Sequence, residues 1–195
     1  MAYSQPSYMP GCDEHVFITN ADGSGTPRRF PMPRLSGCPL GTPVWSPDGS
    51  QIAITQNGKD SWPEIYVMDV SPEGATGRPR ALQHKGLLEA EAPSWSPDGT
   101  EIAFLAAGDI YKIDVNSLEK TRLTSSPETE DAPTWSPEGE QIAFVREDSD
   151  TYSRAIYVMQ SDGSNLTLAR DFSQGIGEIE GHHTGTMRLD WRSPP

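Results

Sequence analysis

The sequence predicts an all-β fold, a propeller of about four four-stranded blades whose last blade is shared between the N- and C-termini. Three observations predict it. A seven-residue phrase recurs three times, as Pro-Val-Trp-Ser-Pro-Asp-Gly from Pro43 to Gly49, Pro-Ser-Trp-Ser-Pro-Asp-Gly from Pro93 to Gly99 and Pro-Thr-Trp-Ser-Pro-Glu-Gly from Pro133 to Gly139. A second block trails each copy: Ile65-Tyr66-Val67-Met68-Asp69, Ile110-Tyr111-Lys112-Ile113-Asp114 and Ile156-Tyr157-Val158-Met159-Gln160. These blocks are apolar on both alternating faces, Ile65 and Val67 one way and Tyr66 and Met68 the other, so each sheet needs cover on both sides. Sheets stacked face to face around an axis give that cover, and tryptophans 50, 40 and 56 residues apart (Trp45, Trp95, Trp135, Trp191) suit one blade per repeat.

In chain order, the first strands belong to the divided blade, residues 1–42 with 186–195. Val16-Phe17-Ile18-Thr19-Asn20-Ala21-Asp22-Gly23 matches Ile156 to Gly163 and is strand three, with strand four near Thr26 to Phe30. Strand two precedes strand three by a short loop in the complete units, which places it here within residues 2–8, Ala2 to Tyr8. Strand one comes from the other end, where Leu189-Asp190-Trp191-Arg192-Ser193-Pro194 begins a further unit. The complete blades are about residues 43–92, 93–132 and 133–185, all in a single domain, 1–195. In each, strand one carries the Trp, and Ser-Pro-Asp-Gly makes a type I turn in which Pro supplies φ near −65° and Gly accepts a left-handed backbone. Strand two is Ile-Ala-Ile or Ile-Ala-Phe, a variable loop leads to strand three, and Asp-Gly turns such as Asp162-Gly163 lead to a weaker strand four, as at Thr121 to Thr124. A closed ring makes a monomer, whereas an open half-propeller with two exposed edges requires a dimer.

Pro-x-Trp-Ser-Pro-Asp-Gly-x-x-Ile-Ala-Phe followed by Ile-Tyr-Val-Met-Asp resembles the WD-like propeller repeat of the TolB family, over about residues 13–195. The resemblance implies a β-propeller that serves as a platform for binding other proteins, in a periplasmic or extracellular setting. The family's propeller is six-bladed and follows a small α/β domain. This sequence shows units for about four blades, no such domain, and no basic-then-apolar secretory pattern in its first twenty residues.

Composition narrows the partners. Fifteen Lys and Arg against 28 Asp and Glu give a net charge of −13, which argues against nucleic acid or an anionic membrane surface. No stretch reaches the roughly 18 apolar residues of a membrane span. Eighteen Gly and 18 Pro mark a turn-rich chain. Cys12 and Cys38 allow one bridge at most, geometrically plausible because both flank strands of the divided blade near one ring face, and no Cys-rich zinc site.

No Gly-x-Ser-x-Gly elbow, His-Glu-x-x-His, phosphate loop or dinucleotide fingerprint is present, so the expected function is a non-enzymatic scaffold that binds another protein or peptide, with no cofactor. The alternative is the gating propeller of a prolyl-oligopeptidase-like or tricorn-like serine protease, whose catalytic domain lies outside this sequence. The repeat tryptophans read as blade packing. Trp62 breaks the pattern: with Asp60 it sits in the variable loop between strands two and three, and Glu147, Asp148, Asp150 and Tyr152 stand around the same loop of a later blade, an arrangement suited to contacting a partner. Glu91 and Asp131 each lie four residues before their Trp, where strand one leaves the central channel, and offer oxygen ligands to Ca²⁺. Gly41 and Met187 at the equivalent places leave that ring of acids incomplete, which favours a solvated mouth. The acidic runs 128–131 and 147–150 read as solvated loops. His182 and His183, adjacent on an extended segment, point to opposite faces and need ligands from another blade to hold a metal.

Overall fold

The computed structural model describes residues 2–5, 15–20, 22, 24, 26–29, 41–57, 63–71, 74–82 and 90–172. Tyr8, Cys12, Cys38, Asp60, Trp62, His182, His183 and the segment Met187 to Trp191 lie outside them. The described residues form antiparallel sheets whose neighbouring strands are consecutive in the chain. Strands β1 (Ala2–Gln5), β2 (His15–Ile18) and β3 (Arg28–Arg29) make a three-stranded sheet. Three four-stranded sheets follow: β4 (Val44–Trp45), β5 (Gln51–Asn57), β6 (Pro63–Ser71) and β7 (Gly74–Ala81); β8 (Glu91–Trp95), β9 (Glu101–Ala106), β10 (Asp109–Asp114) and β11 (Lys120–Arg122); β12 (Thr129–Trp135), β13 (Gln141–Glu147), β14 (Arg154–Gln160) and β15 (Thr167–Asp171). Among the described residues no helix is long and apolar enough to cross a membrane.

The repeated phrase forces the same hairpin each time. Ser46 accepts from Gly49 N–H through its carbonyl (2.9 Å) and from Gln51 N–H through its hydroxyl oxygen (2.9 Å). That hydroxyl donates to Asp48 Oδ1 at 2.6 Å, and Asp48 accepts the Ser50 N–H at 3.0 Å. Ser96 and Asp98 repeat these contacts, and Ser136 repeats its own two with Gly139 and Gln141. Gly49, Gly99 and Gly139 stand at φ +71°, +73° and +75°, as the turn requires. The hairpin fixes the register, so each Trp faces the first Ile of strand two: Trp45 opposite Ile52, Trp95 opposite Ile102, Trp135 opposite Ile142.

Alternation then divides each sheet between two cores, as the sequence predicts. Ile52, Ile54, Tyr66 and Met68 face back and pack with Ile18 of β2, while Ala53, Ile65 and Val67 face forward onto Trp95, Phe104 and Ile113. On the other side of that second sheet, Ala103 and Ile110 meet Trp135, Ile142, Phe144 and Met159. Phe104 and Phe144 are fully buried, each worth roughly 1.5–3 kcal/mol of transfer free energy. The sheets therefore stack in chain order as propeller blades. Among the described residues no extensive packing joins β12–β15 to β1–β3.

Two expectations need correction. The acidic run Glu128 to Asp131 is not a solvated loop: β12 begins at Thr129, and Glu130 is fully buried because Arg146 on the facing strand neutralises it. The fourth strand of the second complete blade, expected over Thr121 to Thr124, instead runs Lys120–Arg122.

Candidate functional site

The antiparallel order gives the stack two ends. One carries the Ser-Pro-Asp-Gly turns, which nest: a Cβ on Gly99 would lie 3.8 Å from Pro47 Cδ, and one on Gly139 3.5 Å from Pro97 Cδ. The other end carries the loops between strands two and three. Blade by blade these are the segment between β5 and β6, the tight turn Ala107-Gly108 with both residues at positive φ, and Asp148 to Ser153.

The Asp148 loop is built around one carboxylate. Asp148 Oδ1 accepts the N–H groups of Asp150 (3.0 Å) and Thr151 (2.7 Å) and the Thr151 hydroxyl (2.8 Å), which hold its carboxyl below the ordinary aspartate range, the Thr151 N–H first. Tyr152 N–H closes the loop on the Asp148 carbonyl at 2.8 Å. Tyr152 sits at φ +56° with 77% of its surface exposed, a strained backbone that puts an aromatic ring in solvent. Glu147 beside it pairs with Arg154 at 2.5 Å, and Asp150 is exposed. Thus the structure gathers Glu147, Asp148, Asp150 and Tyr152 on one loop. Its neighbour is a groove of about 360 Å³ lined by Glu128, Arg146, Arg154, Tyr157, Leu168 and Asp171, among others.

Glu91 and Asp131 also lie toward this end, opposite Leu105 and Val145. Each precedes a β-bulge opened by an alanine at positive φ, Ala92 (49°) and Ala132 (52°). Glu91 is exposed; Asp131 is partly buried, and burial holds its carboxyl above the usual range while the Ala132 N–H at 2.7 Å partly offsets it. In the first complete blade Gly41 takes this place, where a Cβ would come within 3.3 Å of Thr55 Cβ. Among the described residues no group of three or more His, Cys, Asp or Glu side chains converges to hold a metal ion.

Sequence reasoning missed the main buried charge network. Glu130 Oε1 accepts two bonds from Arg146, Nε at 3.1 Å and Nη2 at 2.7 Å. Its Oε2 accepts from the Thr124 hydroxyl and from Ile110 N–H at 3.2 Å, so the network stitches one blade to the one before it. The Arg146 guanidinium lies 4.6 Å from the Tyr157 ring centroid, a further cation–π contact. A signal existed in the sequence: at these two places the other blades carry uncharged residues, Ala90 opposite Ala106 in the second, and the charged pair enters together.

The family described as TolB beta propeller domain matches residues 26–175. Among solved structures, TolB from Acinetobacter baumannii is similar at 25% identity and TM-score 0.65, over 86% of this chain and 40% of that one. The putative TolB from Agrobacterium tumefaciens is similar at 20% identity and TM-score 0.55, over 80% of this chain and 74% of that one. A chain of the nidogen/laminin complex shares the fold at 14% identity and TM-score 0.63, over 90% of this chain and 63% of that one. The chain thus spans less than half the length of the Acinetobacter protein. No curated protein sequence matches it.

Proposed function

Because the chain belongs to the TolB β-propeller family, we propose that it is a non-enzymatic scaffold that holds another protein against the end bearing the strand two–three loops. The carrying observation is the Asp148 loop, whose internal hydrogen bonds fix Tyr152 in solvent: a preorganised aromatic costs little ordering entropy on binding. Trp62 and Asp60, which lie in the sequence between β5 and β6, are included in the proposed contact. Glu147, Asp148 and Asp150, within a chain of net charge −13, favour a partner with a basic surface, so binding should weaken as salt rises. That a related fold occurs in a nidogen/laminin complex supports a protein partner in general. The protease-gate reading gains nothing from these likenesses.

A photo-crosslinking phenylalanine analogue at position 152, with position 48 on the opposite end as control, tests the proposal. One discrete protein adduct at 152, absent at 48 and lost with Trp62→Ala, is expected. Equal adducts at both ends, or turnover of a glycoside or peptide by the purified chain, overturns it.

A further inference from the structure

Residues that face each other across antiparallel strands share a face of the sheet. On β12–β15 this makes two rows, Phe144–Tyr157–Leu168 and Glu130–Arg146–Ala155–Asp171, two residues apart along the strands and therefore on one face. That face is turned toward the preceding blade, because Phe144 packs there with Ala103 and Ile110. Cover runs out along the first row: Phe144 is fully buried, Tyr157 is partly buried and Leu168 is 54% exposed. The other complete blades fill this place differently. Opposite Tyr66 stands Ala81, which is buried, and opposite Tyr111 stands Arg122, whose guanidinium is paired with Asp109 at 2.5 Å.

Leu168, Tyr157 and the second row line the groove of about 360 Å³ beside the Asp148 loop, and the charge of that groove is negative on balance. Arg146 and Arg154 stand with Glu128, Asp148 and Asp171 in its lining, and each arginine is also paired with a further carboxylate, Arg146 with Glu130 at 2.7 Å and Arg154 with Glu147 at 2.5 Å. Asp148 stays ionised at neutral pH, since the Thr151 N–H first, then the Thr151 hydroxyl, holds its carboxyl below the ordinary range. A long cationic side chain answers both features: its methylene stem covers an exposed leucine and its head meets carboxylates. Arg122 shows the arrangement one blade earlier. Standing opposite Tyr111, it donates to Asp109 and, through Nε at 2.8 Å, to the Thr124 carbonyl.

Building on the scaffold reading above, we infer that this groove receives an arginine side chain of the protein partner, its stem laid on Leu168 and its guanidinium directed at the carboxylates of Glu128 and Asp171. The planar fork of arginine addresses two carboxylates at once, which the point charge of lysine does not. An exposed ion pair alone contributes little, so the apolar contact with Leu168 and the surplus negative charge act together. The partner's basic surface is thereby narrowed to an arginine that enters beside Tyr152.

The probe is the capped peptide Gly-Ser-Arg-Ser-Gly, titrated into the full chain and followed through backbone amide NMR signals, with the same peptide carrying citrulline, which keeps the shape of arginine without its charge, as control. The signals of Ala155, Leu168 and Asp171 should shift saturably with the arginine peptide and stay still with citrulline, while those of Asp48 and Asp98 at the opposite end stay still with both. Leu168→Arg supplies the side chain from within, as Arg122 does in its own blade, and should weaken binding by about tenfold or more. Thr167→Arg adds the same charge on the other face of β15, opposite Val158, and should weaken it by about twofold at most. Equal weakening by the two folded variants, equal binding of the citrulline peptide, or shifts spread evenly over the acidic surface overturns the inference. Any of these is compatible with a discrete adduct at position 152, so the arginine groove and the scaffold reading fail separately.

Discussion

At the scale of single residues, the Glu130–Arg146 pair sets the largest stake. Glu130 is fully buried, so removing Arg146 leaves a carboxylate without its counter-charge; Arg146→Ala should cost roughly 3–5 kcal/mol in urea unfolding, and Glu130→Gln with Arg146→Met together should cost less. Asp131 behaves oppositely to most surface aspartates. Burial raises its carboxyl above the ordinary value, so the folded chain holds that proton more tightly than the unfolded one. Its contribution to stability is present at acid pH and is lost as pH rises through the raised value. Asp131→Asn should therefore raise the urea midpoint near pH 7, with the gain fading toward about pH 3.5, below the ordinary aspartate value. Asp48 has the reverse sign: the Ser46 hydroxyl first, then Ser50, lower its carboxyl to about 2. Its contribution is present above the ordinary value and lost as pH falls through about 2, so Asp48→Asn should destabilise the chain at pH 7, with the difference closing in strong acid.

At the scale of elements, equivalent-looking turns differ in what surrounds them. Gly49 stands at φ +71° with open space about the missing Cβ, so Gly49→Ala should cost only the left-handed backbone penalty of about 1–2 kcal/mol. Gly163, in the turn from β14 to β15, stands at φ +87°, and a Cβ there would meet the Leu123 carbonyl oxygen of the preceding blade at 2.9 Å. Gly163→Ala should be clearly worse than Gly49→Ala in the same urea series, because backbone, and not a flexible side chain, is in the way. The sequence displayed both turns, yet only the fold distinguishes them. The same limit runs through the site. Repeated residues made strands, turns and the inward and outward faces of Ile65 to Met68 legible, since local hydrogen bonding and alternation decide them. Burial of Glu130 was not legible within its own run of acids, because it depends on Arg146 across the hairpin and on Ile110 and Thr124 one blade away.

At the scale of the whole molecule, the cores between the complete blades are shared. The cluster between the first two complete blades draws Ala53, Ile65 and Val67 from one and Trp95, Phe104 and Ile113 from the other, and the next cluster is divided in the same way. A blade that unfolded alone would strip apolar cover from both neighbours, so the free energy of the stack resides largely in its interfaces. Unfolding should then be a single event. Every complete blade also carries a Trp at an interface, which makes fluorescence report on packing while far-UV circular dichroism reports on the strands. The two urea transitions of the wild-type chain should coincide. Phe104→Ala, which opens a cavity at one interface, should lower stability by about 3–5 kcal/mol and move both transitions together. If the fluorescence transition separated from the dichroism, blades would be melting one at a time, and the shared clusters would not be what binds the stack into one unit.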